Sequence, residues 1–454
     1  MSDKKQQASH LAINGGDKAI SSYEAKATRK VGVEEFLELA DVWGFDDRTK
    51  TAIRCAVEQD DYQSPLLSRY YNPRPSKVNA LESLAAELFE VPHVLALNSG
   101  TSALNTAYTA AGIGPGAEVI VPAYTFFATV AEVVTARAIP VIAEIDESLT
   151  IDPRDIERKI TPRTRAIVPV HMNGTCCDMD AVMDIARRHN LVVIEDTAQA
   201  IGGSFKGRKL GTIGDFGCFS LSSYKIVGGG EAGLLMTKDA HLYTRALNNH
   251  DTGACWRPTR YALEQEEGEL FSGYNYKMSE LEGAVNLAQL RKMPNRIASW
   301  QKAKARILGQ LGHYEGIIPQ AVRDRGEVGY MLNFFAPDAA SAETLASALS
   351  AEGLGASARG GKATRDWHIY AFWEHILKRK SSSPDGCPWT CEKNAPHIPN
   401  YTPDMCPRTL DLMGRVVMIG VDREWTDSDC DQVAAAINKV LGAYCEPVAG
   451  KLGW

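Results

Sequence analysis

No stretch of this 454-residue sequence approaches the ~20 consecutive apolar residues of a membrane-spanning helix, so no helical span is expected. The opening Met1-Ser-Asp-Lys-Lys-Gln-Gln7 is charged and has no apolar core behind it, so no secretory leader is expected either. Charge of one sign is scarce. The net value is −7 with both signs interspersed, which argues against nucleic acid or an anionic membrane as partner. Internal repeats and low-complexity tracts are absent, which excludes a stacked-repeat architecture. Cysteine is sparse: ten residues, irregularly spaced, with Cys176 and Cys177 adjacent and so ill suited to a disulfide framework. A reduced, cytoplasmic setting is the expectation. Cys387, Cys391, His397 and Cys406 have the Cys₃His composition of a structural zinc set. They lack its tight Cys-x-x-Cys knuckle, and are read as a loop with buried thiols, with no metal expected.

What is present is ordinary for a globular protein, 44% hydrophobic and 23% charged, in a chain long enough for two or three domains. Residues 1–75 read as an N-terminal extension. It holds a mixed helical stretch from Val33 to Glu58 and the proline-rich, aromatic connection Tyr70-Tyr-Asn-Pro-Arg-Pro75. Residues 76–300 read as a large domain. Helix-spaced apolar residues from Val78 to Phe89 precede a series of short apolar strands: Val94–Leu97, Glu118–Val121, Pro140–Ile145, Arg165–Val170, Leu191–Asp196, Cys218–Leu221 and Ala232–Met236. Helical stretches alternate with them, which implies an α/β fold built on a largely parallel sheet covered on both faces. The polar stretch from His241 to Glu267 is expected on the surface, and Ala298–Leu311 as a linker helix. Residues 301–454 read as a smaller C-terminal α+β domain, with strands at Val328–Phe335 and Arg415–Val421 and a final helix begun by Thr426-Asp-Ser-Asp429.

Chemistry concentrates where strands end, which is where ligands bind in open α/β sheets. Cys218-Phe-Ser-Leu-Ser-Ser-Tyr-Lys225 leads into Ile226-Val-Gly-Gly-Gly-Glu-Ala-Gly233. Apolar neighbours desolvate a lysine so placed, which favours its neutral, nucleophilic form. Asn98-Ser-Gly-Thr-Ser102 between a strand and a helix makes an anion site of backbone N–H groups and hydroxyls. Phe126 offers an aromatic face, and Glu195-Asp-Thr-Ala-Gln199 supplies a carboxylate at a strand end. Pyridoxal phosphate needs this set: an anion cradle for its phosphate, a ring to stack on, a carboxylate at its pyridine nitrogen and a lysine for its aldehyde.

In this order and spacing, Ser-Gly-Thr-x-Ala-Leu, Pro-Ala-Tyr-Thr-Phe, Pro-Val-His-Met-x-Gly, Glu-Asp-x-Ala-Gln, Phe-Ser-x-x-x-x-Lys and Gly-Tyr-Asn-Tyr-Lys-Met resemble the DegT/StrS family of pyridoxal-phosphate sugar aminotransferases, from about Lys77 to about Leu290. The resemblance implies the type I fold of pyridoxal-phosphate enzymes and a homodimer with its active site at the subunit interface. It implies Lys225 as the Schiff-base lysine and proton shuttle, and Asp196 at the pyridine nitrogen. Gln199 would meet the phenolic oxygen and Phe126 would stack on the ring. Gly100, Thr101 and Ser102 would hold the phosphate together with Ser220, and Asn275 would reach the neighbouring subunit's cofactor. The implied activity passes an amino group from glutamate or glutamine to a keto-sugar or cyclitol ketone. A dehydrating, aromatising activity of the 3-amino-5-hydroxybenzoate synthase kind is the alternative, and a non-catalytic, cofactor-binding regulator a further one. Lys225 argues against the dehydratase branch that carries histidine there. The chain departs from the family at Lys277, where arginine is frequent, and at Gly228–Gly229, which replace a more polar pair.

Overall fold

The computed structural model describes residues 8, 10–22, 29–60, 62, 64–69, 74–253, 270–360 and 365–454. The charged opening, most of the Tyr70–Pro75 connection and the polar stretch beyond residue 253 lie outside the described residues. Two compact units divide the chain, 1–67 and 68–454. In the first, the stretch expected to be helical resolves into α1 (Val33–Val42) and α2 (Asp47–Glu58). Gly44 breaks the run with φ of +72°, a left-handed value that costs glycine little. Asp46 then caps α2 by accepting the Thr49 N–H at 2.8 Å. Arg54 forks onto both oxygens of Glu34, at 2.5 and 2.8 Å, and ties α2 to α1.

The second unit opens with α3 (Lys77–Phe89), whose Val78, Leu81, Ala85 and Phe89 recur at helical spacing and are all buried. Strands and helices then alternate: β1 (His93–Leu97), α4 (Gly100–Ala110), β2 (Glu118–Pro122), α5 (Ala128–Thr135), β3 (Ile139–Ala143), α6 (Pro153–Lys159), β4 (Thr164–Ile167), α7 (Met179–His189) and β5 (Val192–Asp196). A small hairpin, β6 (Ser204–Phe205) and β7 (Arg208–Lys209), precedes β8 (Phe216–Ser220) and β9 (Gly233–Thr237). The main sheet has seven strands in the order β1-β9-β8-β5-β4-β2-β3. The pairs from β3 through β8 are parallel, and β9 runs antiparallel to both β8 and β1. Strand β1 therefore points the same way as β8. Six strands release their carboxyl ends along one edge, and β9 begins there. Alternation along each strand feeds two cores. Val94 and Ala96 face the one that contains α3 and α7, while Leu95 and Leu97 face the one that contains α4 and α5.

Two expectations are corrected here. The polar stretch after residue 240 is not all surface. Its first part is α8 (Ala240–His250), whose last five residues, Ala246 to His250, are buried. Within them Asn249 Nδ2 finds partners on α4, donating to Asn105 Oδ1 and Thr106 Oγ1, and just before them Arg245 Nε donates to Ala110 O at 2.7 Å. The separate linker helix is also absent. Residues 298–308 are instead the end of one 29-residue helix, α9 (Glu280–Leu308), which continues through Pro294. Ser279 and Glu282 close a capping box at its start, and Glu280 accepts from Ser76 Oγ and Lys77 N, which fastens the beginnings of α9 and α3 together.

Beyond α9, β10 (Gly312–Tyr314) precedes a second sheet. It comprises β11 (Ile318–Pro319), β12 (Met331–Phe335), β13 (Ala356–Ala358) and β14 (Val416–Gly420), antiparallel in the order β11-β12-β14-β13. Helices α10 (Ala339–Ala351), α11 (Glu374–Leu377), α12 (Pro407–Arg415) and α13 (Asp427–Tyr444) accompany it, and β15 (Pro447–Leu452) pairs with β10. The expected Thr426/Asp429 capping box starts α13.

Candidate active site

A cavity of about 390 Å³ opens at the carboxyl edge of the main sheet. It gathers Gly100, Thr101, Phe126, Asp196, Gln199, Ser220 and Lys225 from four segments of chain. Asp196 ends β5 and is buried. Its Oδ2 accepts from Thr129 Oγ1 at 2.7 Å, and its Oδ1 from the Ala198 N–H at 3.1 Å. Thr129 Oγ1 is bonded in turn to Thr125 Oγ1 at 2.7 Å. The neighbouring carboxylate, Glu195, points to the other face, as strand alternation requires. It accepts from the N–H groups of Gly211, Ile213 and Gly214 and is bonded to His171 Nε2. Since His171 Nδ1 accepts the Cys177 N–H, its proton is on Nε2 and is donated to Glu195. That pair braces the fold, and of the two neighbouring carboxylates it is Asp196 that lines the cavity.

Lys225 lies in the turn that follows β8. Leu221 N–H donates to Ala232 O and Gly229 N–H to Leu221 O, which closes the turn into a tight loop. The glycines are what this closure needs. A Cβ on Gly228 would lie 2.6 Å from Ser222 O, and one on Gly229 would lie 2.8 Å from Asn286 Oδ1 on α9. Lys225 is half-buried, and no hydrogen bond or ion pair holds its Nζ among the described residues. Burial pushes its pKa below the ordinary lysine value, and the Asp196 charge opposes that shift.

The N-terminus of α4 forms another wall. Ser99 caps it by accepting the Ser102 N–H at 3.0 Å. Gly100 approaches β8 so closely that a Cβ there would lie 2.7 Å from Ser220 Cβ. Helix N–H groups, Thr101 and Ser220 thus face the cavity together. Ser102 does not: its Oγ donates to Asn98 Oδ1 at 2.6 Å, and it is buried behind the helix start. Ser99 lines the cavity in its place. Gln199 Oε1 accepts the Asn173 N–H at 2.9 Å. Asn275 is exposed and outside the cavity, in a backbone bridge to Asp251. Lys277 Nζ is ion-paired with Asp251 at 3.1 Å.

Sequence reasoning missed Thr125, Thr129 and His368. The threonines carried no helical signal, since Thr125 lies in the bend before α5 and only Thr129 is on the helix. His368 carried none, because only the tertiary fold brings residues 368–370 beside Ala123–Thr125. In the remote cysteine region Cys406 is buried against Ile142 O, and Cys391 Sγ donates to Pro388 O. Among the described residues no group of three or more His, Cys, Asp or Glu is placed to hold a metal ion, and no helix is long and apolar enough to cross a membrane.

Comparison with known proteins adds three findings. The family model described as the DegT/DnrJ/EryC1/StrS aminotransferase family matches residues 62–371. The GDP-perosamine synthase of Caulobacter vibrioides is 38% identical over 234 residues, and the L-glutamine:2-deoxy-scyllo-inosose aminotransferase of Micromonospora echinospora is 37% identical over 259. These matches cover 50% and 56% of this chain, and only 59% and 61% of the relatives' own lengths. A crystal structure of 3-amino-5-hydroxybenzoic acid synthase superposes with a TM-score of 0.64 at 28% identity, covering 81% of this chain and 91% of that one.

Proposed function

The chain belongs to the DegT/DnrJ/EryC1/StrS aminotransferase family, and on that premise we propose that it is a pyridoxal-phosphate aminotransferase. In this reading it moves an amino group from glutamate or glutamine to a ketone on a sugar or cyclitol. The observation that carries the reading is the facing of Lys225 and Asp196 across one cavity, with the start of α4 at its edge. The residues fit the group. Gly100 lets the start of α4 lie directly against Ser220, where a Cβ would clash, and the donor set pairs an anion cradle with a carboxylate and a desolvated lysine. Bound there, pyridoxal phosphate supplies an aldehyde carbon and a ring that withdraws electrons.

The protein's own contributions follow from the geometry. The N–H groups of α4, Thr101 and Ser220 bind a phosphate, helped by the helix dipole. Asp196, held by Thr129 and Ala198, presents a fixed negative charge to a protonated ring nitrogen. Gln199 is positioned to meet an oxygen, with its Oε1 held by Asn173. Phe126 covers one face of the cavity. Lys225 Nζ, partly neutral because it is desolvated, accepts a proton and returns it as the general base of both halves of the exchange. Residues 76–300 would be the cofactor-binding domain and 301–454 the smaller one. A homodimer completes the site in this reading, with the exposed Asn275 reaching the partner's cavity.

The test is a half-reaction screen on the protein loaded with pyridoxal phosphate. Glutamate or glutamine should bleach the visible band, and nucleotide-linked keto-sugars or scyllo-inosose should restore it. Lys225→Ala should abolish the band, and a band that survives that change would sink the assignment of Lys225. The likeness to 3-amino-5-hydroxybenzoic acid synthase supports a second reading, a dehydrating and aromatising reaction in the same cavity. Loss of water from an aminodehydroshikimate-like substrate, detected by product analysis, would favour it.

A further inference from the structure

His368 reaches the cavity from a segment that none of the site motifs contains. Thr125 N–H donates to His368 O at 2.9 Å and Tyr370 N–H to Ala123 O at 3.0 Å, so residues 368–370 run beside the turn that carries Phe126. The ring is held from behind. Asp366 Oδ1 is bonded to both the His368 backbone N–H, at 2.9 Å, and Nδ1, at 2.8 Å, and Arg359 is ion-paired with Asp366 Oδ2. A carboxylate oxygen can only accept, so the proton is on Nδ1 and Nε2 carries the lone pair. Phe126 lies against the ring, with centroids 5.5 Å apart. Among the described residues nothing hydrogen-bonds to Nε2, and the imidazole lines the cavity that holds Lys225. Burial, then the charges of Arg359 and Lys225, push its pKa down to about 4, so it is neutral near pH 7.

We propose that His368 Nε2 is a specificity-determining hydrogen-bond acceptor for the ketone substrate, receiving the O–H of a hydroxyl near the carbonyl, so that the cavity selects hydroxylated ketones. The proposal rests on the aminotransferase reading above. A site built to bond a substrate hydroxyl discriminates against a substrate that lacks it, because the site's own polar atom is then left unpaired. Asp366 is the positioning residue: it fixes the tautomer that makes Nε2 an acceptor.

The experiment compares the two half-reactions of the holoenzyme, with the acceptor half run on the best hydroxylated ketone of the screen and on cyclohexanone. His368→Leu should keep the visible band and the donor half-reaction within about twofold. It should raise KM for the hydroxylated ketone about tenfold, the order expected for one lost hydrogen bond, and leave cyclohexanone unchanged. His368→Gln, which retains an acceptor, should recover part of the loss. Asp366→Ala removes the oxygen that keeps the proton on Nδ1 and frees the ring to turn, so it should raise the same KM by less than His368→Leu does, with the band intact. Equal losses on both ketones, or equal losses in both half-reactions, would overturn the assignment. A wild-type holoenzyme that fails the donor half-reaction would overturn the aminotransferase reading itself.

Discussion

The hydrogen bond from Thr129 to Asp196 offers the sharpest test of how the cavity is built. Thr129→Val keeps the side-chain shape and deletes one hydroxyl. That hydroxyl donates at 2.7 Å to Asp196 Oδ2 on a side chain with only 5% exposure. Hydrogen bonds to charged groups contribute about 1.5–3 kcal/mol, and here the deletion leaves a buried carboxylate oxygen without its donor. The Ala198 N–H still holds Oδ1, so the carboxylate is weakened rather than stranded. At about 1.4 kcal/mol per tenfold, the folding equilibrium should shift by about one to two orders of magnitude. The measurement is a double-mutant cycle of Thr129→Val with Asp196→Asn, read by denaturant unfolding of the cofactor-free protein. A coupling energy of about 1.5–3 kcal/mol is expected. A coupling below about 0.5 kcal/mol, within the error of additivity, would refute the claim that Thr129 holds Asp196 in place.

Two further predictions concern the walls of the cavity. Gly229→Ala places a Cβ 2.8 Å from Asn286 Oδ1, so it should destabilise by about 1–3 kcal/mol as overpacking does. It should also displace the Lys225 turn, and a thermal melt together with the strength of the visible cofactor band would report both effects. For His368 the sign follows from a folded pKa of about 4 against about 6.5 in the unfolded chain. Between those values the unfolded state binds the extra proton, so the contribution to stability is present above about pH 6.5 and is lost as pH falls toward 4. The wild type should therefore lose more melting temperature than His368→Gln over that window; equal slopes would contradict a depressed pKa.

Much of this protein is legible along the chain. Leu81, Leu84, Leu88 and Phe89 announce α3 by spacing, although only Leu81 and Phe89 of these are fully buried, and Leu191 to Asp196 announces a buried strand by its β-branched run. Lys225, Asp196, Gln199, Phe126 and the Ser99–Ser102 turn are legible as a set, because each sits where a strand ends and the chain must turn. A run of hydroxyls does not say which one lines the cavity, as Ser99 does, and which turns inward, as Ser102 does. The stretch after residue 240 read as surface because polar composition cannot reveal that Asn249 finds Asn105 and Thr106 on another helix.

Local pattern alone determined the alternation of strands and helices, the lysine and the carboxylate, since side-chain period and turn chemistry are properties of a few neighbouring residues. Tertiary structure alone decided that Glu195 turns away into the brace with His171, what the glycines at 228 and 229 make room for, and that His368 joins Lys225. Those three depend on strand order, on the carbonyls of Ser222 and Ser223 beside the amide of Asn286, and on a backbone pairing between residues more than 240 positions apart. Such contacts are set by the packing of whole elements, and no short stretch of sequence encodes them.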